Sequence, residues 1–295
     1  MTTADRSGAP RALLPRLRLW PAGGAGTAML GIGLVMVAVL LVLALTVGLN
    51  PPREALTGNL RLRFRPPGTE GYLMGTDQLG RSVAGRVGAG MVWSLGIALV
   101  AATLALALGT VLGLIAAWVP GWPRRVIRTL IDTVIAFPSL VIAVTVIAIM
   151  GRGFWTLAIT LGLATCPIAA RVVYAEAMSL ARRDYVVAAQ LAGVGSTTIL
   201  ATHVLPALRP TLLTMFAFTF ADMLVAESAL SFLGLGVPLT APSWGNMLSE
   251  SREFLVEAPW LMLAPAGAIV FAVVALNLIG DGIAARARRR GRSAM

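Results

Sequence analysis

Six mostly apolar runs divide the chain, and each is long enough to cross a bilayer as a helix. A transmembrane helix needs about 20 consecutive apolar residues. The runs cover about 27–49, 94–119, 130–150, 154–174, 211–232 and 260–279. Pro138 lies inside the third run, where a membrane helix tolerates proline if neighbouring groups satisfy the freed carbonyl. The pattern predicts an all-α, polytopic membrane protein with six transmembrane helices.

The first apolar run has a second interpretation, because Arg11, Arg16 and Arg18 precede it as they would precede the apolar core of a secretory signal peptide. The run is too long for such a core, and no clear Ala-x-Ala cleavage site follows it. We therefore predict an uncleaved membrane anchor. Residues 233–259 are half apolar and rich in Gly and Pro. They are predicted to form a loop, with a short interfacial or re-entrant helix as an open alternative.

The arginines orient the six predicted spans. Both termini fall on one side, which carries sixteen arginines, whereas the other side carries eight. Positive residues accumulate on the cytoplasmic side, so both termini are predicted to be cytoplasmic. The predicted organisation is then a basic cytoplasmic tail over 1–26, an extracytoplasmic segment over 50–93, a membrane core over 94–282 and an Arg-rich cytoplasmic tail over 283–295. Residues 175–210 become the longest cytoplasmic loop.

That loop has the signals of two short helices joined by a glycine. Asp184 is predicted to cap a helix that begins at Tyr185, and Gly193 fits a helix C-terminus. Ser196 is predicted to cap a second helix that ends near Pro206. A helix–glycine–helix element on the cytoplasmic face is a candidate docking surface, and an ordinary connecting loop is the alternative.

Composition narrows the class of protein further. The chain is 57% hydrophobic and 13% charged, with a mean hydropathy of +0.83, whereas soluble domains are about 25% charged. Its net charge of +11 comes from arginines between apolar runs, which favours a topology signal over nucleic-acid binding. Cys166 is the sole cysteine and His203 the sole histidine, which excludes an intramolecular disulfide and the common multi-His metal sites, so no metal site is predicted.

The chain contains no lysine, so it has no G-x-x-x-x-G-K-[ST] loop to hold nucleotide phosphates. If transport is driven by ATP, the nucleotide and its Mg²⁺ are expected on another chain. This chain is predicted to bind no cofactor and to catalyse no reaction. No other catalytic or nucleotide-binding fingerprint occurs in the sequence.

The cytoplasmic loop resembles the EAA loop of binding-protein-dependent ABC importer permeases. The resemblance rests on spacing, since Gly193 follows Ala188-Ala189 by four residues and Leu205-Pro206 begins twelve residues later. Val187 stands where the family has Glu, and the family often has His at position 203. The resemblance implies that these residues couple the permease to an ATPase: Asp184, Tyr185, Ala188, Ala189, Gly193, His203, Leu205 and Pro206.

Five further segments are similar to the C-type permease subunit of dipeptide, oligopeptide and nickel importers. They are Gly75-Thr76-Asp77-Gln78-Leu79-Gly80-Arg81, Asp132 with Phe137-Pro138-Ser139-Leu140, residues 226–236 (AESALSFLGLG), residues 242–248 (PSWGNML) and residues 277–282 (NLIGDG). The resemblance covers about 75–282. It implies the type I ABC importer permease fold in a bacterial inner membrane.

The resemblance also implies partners. A second permease subunit would complete the pathway, and the two permeases are expected to form a heterodimer. Two ATP-binding cassette ATPase subunits would bind the cytoplasmic loops. An extracytoplasmic binding protein would deliver the substrate. Peptides, nickel chelates, glutathione and some sugars are carried by relatives, so the substrate stays open. The alternative is a secondary transporter or channel driven by an ion gradient, but no convincing internal repeat supports it.

Two acidic residues are candidates for the translocation path. Asp222 lies eleven residues into the fifth predicted span, about 17 Å deep and near the bilayer centre. A carboxylate at that depth is expected to face water or the bundle interior. Glu227 is rotated from Asp222 by about 140° at 100° per residue, so the two are not expected on one helix face. Glu227 fits the family pattern, whereas Asp222 replaces a residue that is usually small.

Overall fold

The computed structural model describes residues 25–238 and 240–293, and their regular secondary structure is helical throughout, with no β-strand in these two ranges. The prediction of an all-α membrane protein is therefore confirmed. Five helical segments are long and apolar enough to cross a membrane: Gly26–Gly48, Val83–Trp118, Phe154–Leu180, Ser196–Phe232 and Trp260–Arg289. The number of candidate spans rises to six if the bent pair Trp122–Ile135 and Ser139–Met150 is counted as one.

The helices follow one another with short connections. They are α1 (Ala25–Leu43, continued by a π-helical turn Ala44–Gly48), α2 (Arg53–Leu56), a 3₁₀ turn Leu60–Leu62, α3 (Val83–Trp118), α4 (Trp122–Ile135), α5 (Ser139–Met150), α6 (Phe154–Leu180), α7 (Asp184–Leu191), α8 (Ser196–Ile199), a π-helical turn Leu200–Val204, α9 (Leu205–Phe232), α10 (Trp244–Ser251), a 3₁₀ turn Arg252–Phe254, and α11 (Trp260–Ser293).

The helix that contains the second predicted span, 94–119, begins before that span. Helix α3 starts at Val83, where the Ser82 hydroxyl accepts a hydrogen bond from the Gly85 amide and caps the first turn. Its 36 residues extend for about 54 Å, well beyond a hydrocarbon core of about 30 Å. The first turns of α3 therefore belong to the segment 50–93, which was predicted to lie outside the membrane.

The third predicted span, 130–150, is not one helix. Helices α4 and α5 meet at 86°, and the break falls at Phe137 and Pro138. Proline has no amide hydrogen to donate, and it disfavours helical geometry in the residue before it, so the chain changes direction there. Helix α5 has 12 residues and a length of about 18 Å, which is shorter than the hydrocarbon core.

The helix predicted to end near Pro206 also continues. Helix α8 passes through the π-helical turn Leu200–Val204 into α9, so one helical segment extends from Ser196 to Phe232. Pro206 lies in the first turn of α9, directly after the π-helical turn, and it has no amide hydrogen to donate to the preceding turn. At the C-terminus, α11 runs to Ser293 through most of the predicted tail 283–295. The predicted tail 1–26 lies almost wholly outside the described residues.

Helices α3 and α6 form the centre of the bundle, and small residues line their contact. Ala98, Ala101, Ala102 and Ala105 of α3 are fully buried, as are Ala158 and Ala170 of α6. Small side chains let membrane helices approach closely, which replaces the hydrophobic driving force that lipid does not supply. Helix α9 packs on α3 and on α11, and α1 packs along α11.

The two ends of α3 carry different structures. Asp77 and Arg86 lie near its first residue, together with α10, whereas Ala117 at its last turn joins a separate apolar cluster with the end of α6. That cluster includes Val186, Ile199 and Val204 of the loop 175–210. The loop and the charged end are therefore separated by the length of α3.

Candidate functional site

Helix α7 is anchored on one side and exposed on the other. Val186 is fully buried in the apolar cluster with Ile199 and Val204, and Ala189 packs against the same cluster. Leu191, about 140° around the helix from Val186, is 85% exposed. Tyr185 and Val187, which flank Val186 on either side, are also exposed. The short helix thus holds a fixed position on the bundle while it presents an apolar surface outward.

The start of α7 differs in detail from the prediction. The N-cap position is occupied by Arg183, which forms no side-chain capping bond, and Asp184 is the first helical residue. Its carboxylate lies in the first turn, where it interacts favourably with the positive end of the helix dipole. Ser196 is likewise the first residue of α8 and not its cap, since Gly195 holds that position without a side-chain bond. The two predicted side-chain caps are therefore wrong by one position.

The predicted end of α7 at Gly193 is confirmed. The Gly193 amide donates to the Gln190 carbonyl at 3.0 Å, and the Val194 amide donates to the Ala189 carbonyl at 3.1 Å. These two bonds form a Schellman motif, which requires a left-handed residue after the helix. Gly193 has φ = 78°, a value that glycine adopts without strain. The turn sends Val194 back onto the apolar cluster.

His203 connects the end of the loop to its beginning. Its ring stacks on that of Tyr185, with 6.3 Å between centroids and 21° between planes, and its Nδ1 lies 2.7 Å from the Thr202 hydroxyl. Leu205 and Pro206 follow at the start of α9, where Leu205 is exposed and Pro206 half-buried. The Tyr185–His203 contact therefore brings the start and the end of the loop together. Among the described residues, no group of three or more His, Cys, Asp or Glu side chains is placed to hold a metal ion.

The two acidic residues of α9 have opposite environments. Asp222 is exposed on the surface of the chain, on the same side of the helix as Val225 and Ala229. It lies ten residues before Phe232, about 15 Å from the end of α9. Glu227 is fully buried between helices, so in this conformation it lines no open surface. The two carboxyl groups do not share one face.

The Glu227 carboxyl is surrounded by serine hydroxyls. Ser231 donates to Oε1 at 2.8 Å and Ser228 donates to Oε2 at 3.2 Å, both from within α9. Beside it, the Ser94 hydroxyl of α3 accepts the amide of Trp244 at 3.1 Å. The Trp244 indole donates to the Val87 carbonyl at 2.9 Å. These two hydrogen bonds join α3 to the first turn of α10.

A second polar group, which the motif comparison did not identify as a site, lies at the opposite end from α7. Arg86 of α3 is only 4% exposed. Its Nη1 lies 2.9 Å from Asp77 Oδ2 and 2.8 Å from Glu250 Oε2. Its Nη2 lies 3.1 Å from Glu250 Oε1. Arg81 adds contacts of 2.7 Å to Asp77 and 3.3 Å to Glu250. We call Asp77, Arg81, Arg86 and Glu250 the charge network. Two arginines and two carboxylates balance, so their charges are paired as buried ions require.

The turn that carries Asp77 explains why its sequence motif contains particular residues. Asp77 Oδ1 accepts the amides of Leu79 at 2.9 Å and Arg81 at 2.8 Å, which closes the turn. Gly80 has φ = 72°, and a side chain there would overlap the Asn59 carbonyl oxygen. The motif therefore folds into a tight turn that aims Asp77 at Arg86. The spacing of Asp77, Arg81 and Arg86 in the sequence was the available signal, but Glu250 was not foreseeable from it.

A bundle of long apolar helices, with a charge network at one end and a short exposed helix at the other, defines a polytopic membrane transport subunit. The chain belongs to the family described as binding-protein-dependent transport system inner membrane component, whose sequence pattern matches residues 109–293. It is therefore a multi-pass permease component of a multi-subunit ABC import system. This assignment removes the alternative of a secondary transporter or channel.

The chain is similar to several permease proteins over most of its length. A putative peptide transport system permease protein of Brucella suis biovar 1 is 38% identical over 255 residues, which cover 85% of this chain and 84% of the relative. The dipeptide transport system permease protein DppC of Alkalihalophilus pseudofirmus is 32% identical over 85% of this chain and 83% of its own. The glutathione transport system permease protein GsiD of Escherichia coli O6:K15:H31 is 35% identical over 72% and 70%.

Proposed function

We propose that this chain forms half of an import pathway for short peptides or a related small solute, and that α7 couples the pathway to a separate ATPase. The observation that carries the proposal is the exposed apolar side of α7, with Leu191 85% exposed on a helix whose other side is buried in the bundle. An apolar surface on a rigid helix at the end of a membrane bundle fits the groove of a soluble partner. The resemblance to the EAA loop supports the same partner.

The proposed assembly contains a second permease, expected as a heterodimer, two ATP-binding cassette subunits and an extracytoplasmic binding protein. The sequence lacks a phosphate-binding loop, which supports the assignment of ATP and Mg²⁺ to the ATPase subunits and a non-catalytic role for this chain. Relatives that are named as components of transport systems support partner subunits in general.

The coupling follows from how α7 is attached. Val186 and Val194 fix α7 to the end of α6 and to the start of the segment Ser196–Phe232. A displacement of α7 by the ATPase is therefore transmitted to α9, which is continuous with α8 and carries Asp222 in its second half. Rigid-body tilting of packed helices is one of the established ways in which a local displacement becomes a change of access.

The proposed docking surface is tested by Leu191→Asp, with Val256→Asp as the matched control. Both side chains are apolar and nearly free of contacts within the chain, but Val256 lies beyond α10 near the charge network, at the other end of the bundle. A buried leucine contributes about 1.5–3 kcal/mol, so Leu191→Asp is expected to weaken ATPase co-purification at least tenfold. Equal ATPase recovery with both variants would refute the docking surface.

The proposed substrate rests on the names of the relatives and on Asp222. Their names specify peptides, dipeptides and glutathione, which share a free amino group. A carboxylate on a membrane helix is stable when it faces water or a cationic group, and Asp222 is exposed on the chain surface. We propose that it faces the cavity between the two permeases and binds the substrate ammonium.

Uptake by the assembled importer tests this role for Asp222. Asp222→Asn is expected to reduce uptake of a dipeptide with a free amino group, while uptake of the same dipeptide with an acetylated amino group is unchanged. If the Asp222→Asn variant transports both substrates as the wild type does, the proposed contact between Asp222 and the substrate ammonium is refuted. Loss of assembly is monitored by co-purification of the second permease.

The proposed orientation places both termini and α7 in the cytoplasm of a bacterial inner membrane. Ser196 and Leu73 are exposed at opposite ends of the bundle, and Cys166 is the sole cysteine. In a Cys166→Ala background, Ser196→Cys is expected to react with an impermeant maleimide only in inverted vesicles. Leu73→Cys is expected to react only in intact cells from which the outer membrane has been removed, and the reverse pattern would invert the orientation.

A further inference from the structure

Helix α4 has three distinct faces. Ile131 is buried, and with Arg124 and Ile127 it forms the side that packs on the bundle. Trp122, Val126 and Leu130 follow at intervals of four residues and are 75%, 54% and 56% exposed. At 100° per residue they form a stripe about 80° wide, whose centre lies about 140° around the helix from Ile131.

The third face is polar and strongly basic. Arg125, Arg128, Thr129 and Asp132 are exposed and line an open groove of about 410 Å³ together with Arg124. Three arginines face a single carboxylate there, so the groove is electropositive. Arg125 lies about 100° around the helix from Val126, so the basic face adjoins the exposed apolar stripe.

Contacts to both central helices fix the direction of α4. Arg124 donates to the carbonyls of Ala116 at 2.8 Å and Ala117 at 2.7 Å, which caps the C-terminus of α3. The guanidinium of Arg128 lies 5.4 Å from the ring centroid of Tyr174 in α6. With these contacts α4 leaves the apolar helix α5 at 86°, so the two helices cannot both run along the axis of the bundle.

We propose that α4 lies in the plane of the membrane–water interface, with Trp122, Val126 and Leu130 among acyl chains and with Arg125 and Arg128 bound to the headgroups of anionic phospholipids. Helices that lie in the interface combine an apolar stripe containing Trp with an adjoining face rich in basic residues. Helix α5 is mostly apolar and lies at 86° to α4. If α5 runs along the bilayer normal, α4 lies parallel to the membrane surface.

The charges favour a lipid over a second protein on this surface. Basic residues at the membrane surface each attract anionic lipid by a factor of about five. The basic groove is open at the same end of the bundle as Arg182 and Arg183, which are also exposed, so the positive charge extends beyond α4. A protein partner on the apolar stripe would leave this basic face without a counter-charge.

The contact has a consequence for transport that rests on the function proposed above. Arg124 ties α4 to the end of α3, next to the apolar cluster that supports α7. Anionic lipid bound to α4 would therefore hold the end of the bundle on which the ATPase is proposed to act. Lipid contact itself depends on neither the ATPase nor the orientation of the chain, so the two proposals can fail separately.

Depth is tested with a bimane fluorophore on single cysteines in the Cys166→Ala full-length chain, reconstituted in nanodiscs of mixed phosphatidylcholine and phosphatidylglycerol. Val126→Cys probes the apolar stripe, and Asp132→Cys is the matched control in the polar groove, about 120° around the helix. Bimane at 126 is expected to be quenched by doxyl-labelled lipid and protected from aqueous iodide, with the reverse at 132. Iodide quenching at both positions would overturn the interfacial placement.

Headgroup binding is tested by comparing doxyl-labelled phosphatidylglycerol with doxyl-labelled phosphatidylcholine as quenchers at position 126. Phosphatidylglycerol is expected to be enriched at least about fivefold over phosphatidylcholine around position 126. Arg125→Gln is expected to reduce that enrichment by about fivefold. Equal quenching by both lipids would overturn headgroup binding. The assembled importer is measured in the same way, and loss of lipid quenching there would assign the stripe to a protein partner and refute the proposal.

Discussion

The charge network makes a quantitative prediction, because Arg86 holds two carboxylates that come from distant parts of the chain. Arg86→Met removes three contacts of 2.8–3.1 Å and keeps a side chain of similar length. Asp77 retains Arg81 as a partner, whereas Glu250 keeps only the contacts of 3.3 Å to Arg81 and 3.2 Å to Gln78. The variant therefore leaves one excess negative charge at a largely buried site.

Removing one partner of a buried ion pair costs about 3–5 kcal/mol of folding free energy. Arg81 is 18% exposed, and its loss removes charge-assisted hydrogen bonds worth about 1.5–3 kcal/mol. Arg81→Met is therefore expected to destabilise the fold less than Arg86→Met does. The double variant Arg86→Met with Glu250→Gln restores charge balance. Its destabilisation is expected to be about 0.5–3 kcal/mol less than the sum of the two single variants.

The sole cysteine supplies the assay. Cys166 is buried in α6, so a thiol-reactive fluorescent dye labels it only when the bundle opens, and the labelling temperature at a fixed heating rate reports unfolding. A loss of 1 kcal/mol lowers Tm by about 2–4 °C in a large domain, so Arg86→Met is expected to lower it by about 6–20 °C. A Tm unchanged by Arg86→Met, or strictly additive effects in the double variant, would refute the reasoning.

Three further changes have defined outcomes. Gly113→Leu is expected to destabilise the α3–α6 contact by about 1–3 kcal/mol, because a Cβ there would lie 2.7 Å from the Ala170 carbonyl oxygen. Gly267→Leu is its control in the same dye assay, since no atom lies within 4 Å of a Cβ at that position. Glu227→Leu leaves two serine hydroxyls without their acceptor and should cost about 1–3 kcal/mol, whereas Glu227→Gln keeps an acceptor and should cost less. Equal Tm values for the two variants would show that the serine hydroxyls do not depend on the Glu227 carboxyl. Gly193→Leu is expected to lower the folding free energy by about 1 kcal/mol or more and to reduce ATPase-coupled uptake, whereas Gly193→Asn is expected to be tolerated. Wild-type uptake with Gly193→Leu would contradict the role of the left-handed turn.

Local features of the sequence were sufficient to predict much of the structure. The length of an apolar run decides whether a helix can cross a bilayer, and this property needs no knowledge of neighbouring segments. The end of α7 was predictable for the same reason, since Gly193 is the residue that accommodates a positive φ. The positions of helix starts were less predictable. Helix α3 begins at Val83, eleven residues before the predicted span, because the Ser82 hydroxyl caps a helix whose first turns precede the continuous apolar run.

Tertiary structure alone decided which polar groups meet and in which direction α4 runs. Arg86 and Glu250 are separated by 164 positions, and Ser94 and Trp244 by 150, so no spacing in one segment indicates that either pair is in contact. A buried charge or hydroxyl must find a partner because water is absent, but which partner lies within reach depends on how whole helices pack. Pro138 indicated only that the helix is interrupted. The angle of 86° follows from the contacts of Arg124 and Arg128 with α3 and α6, which exist only in the folded bundle.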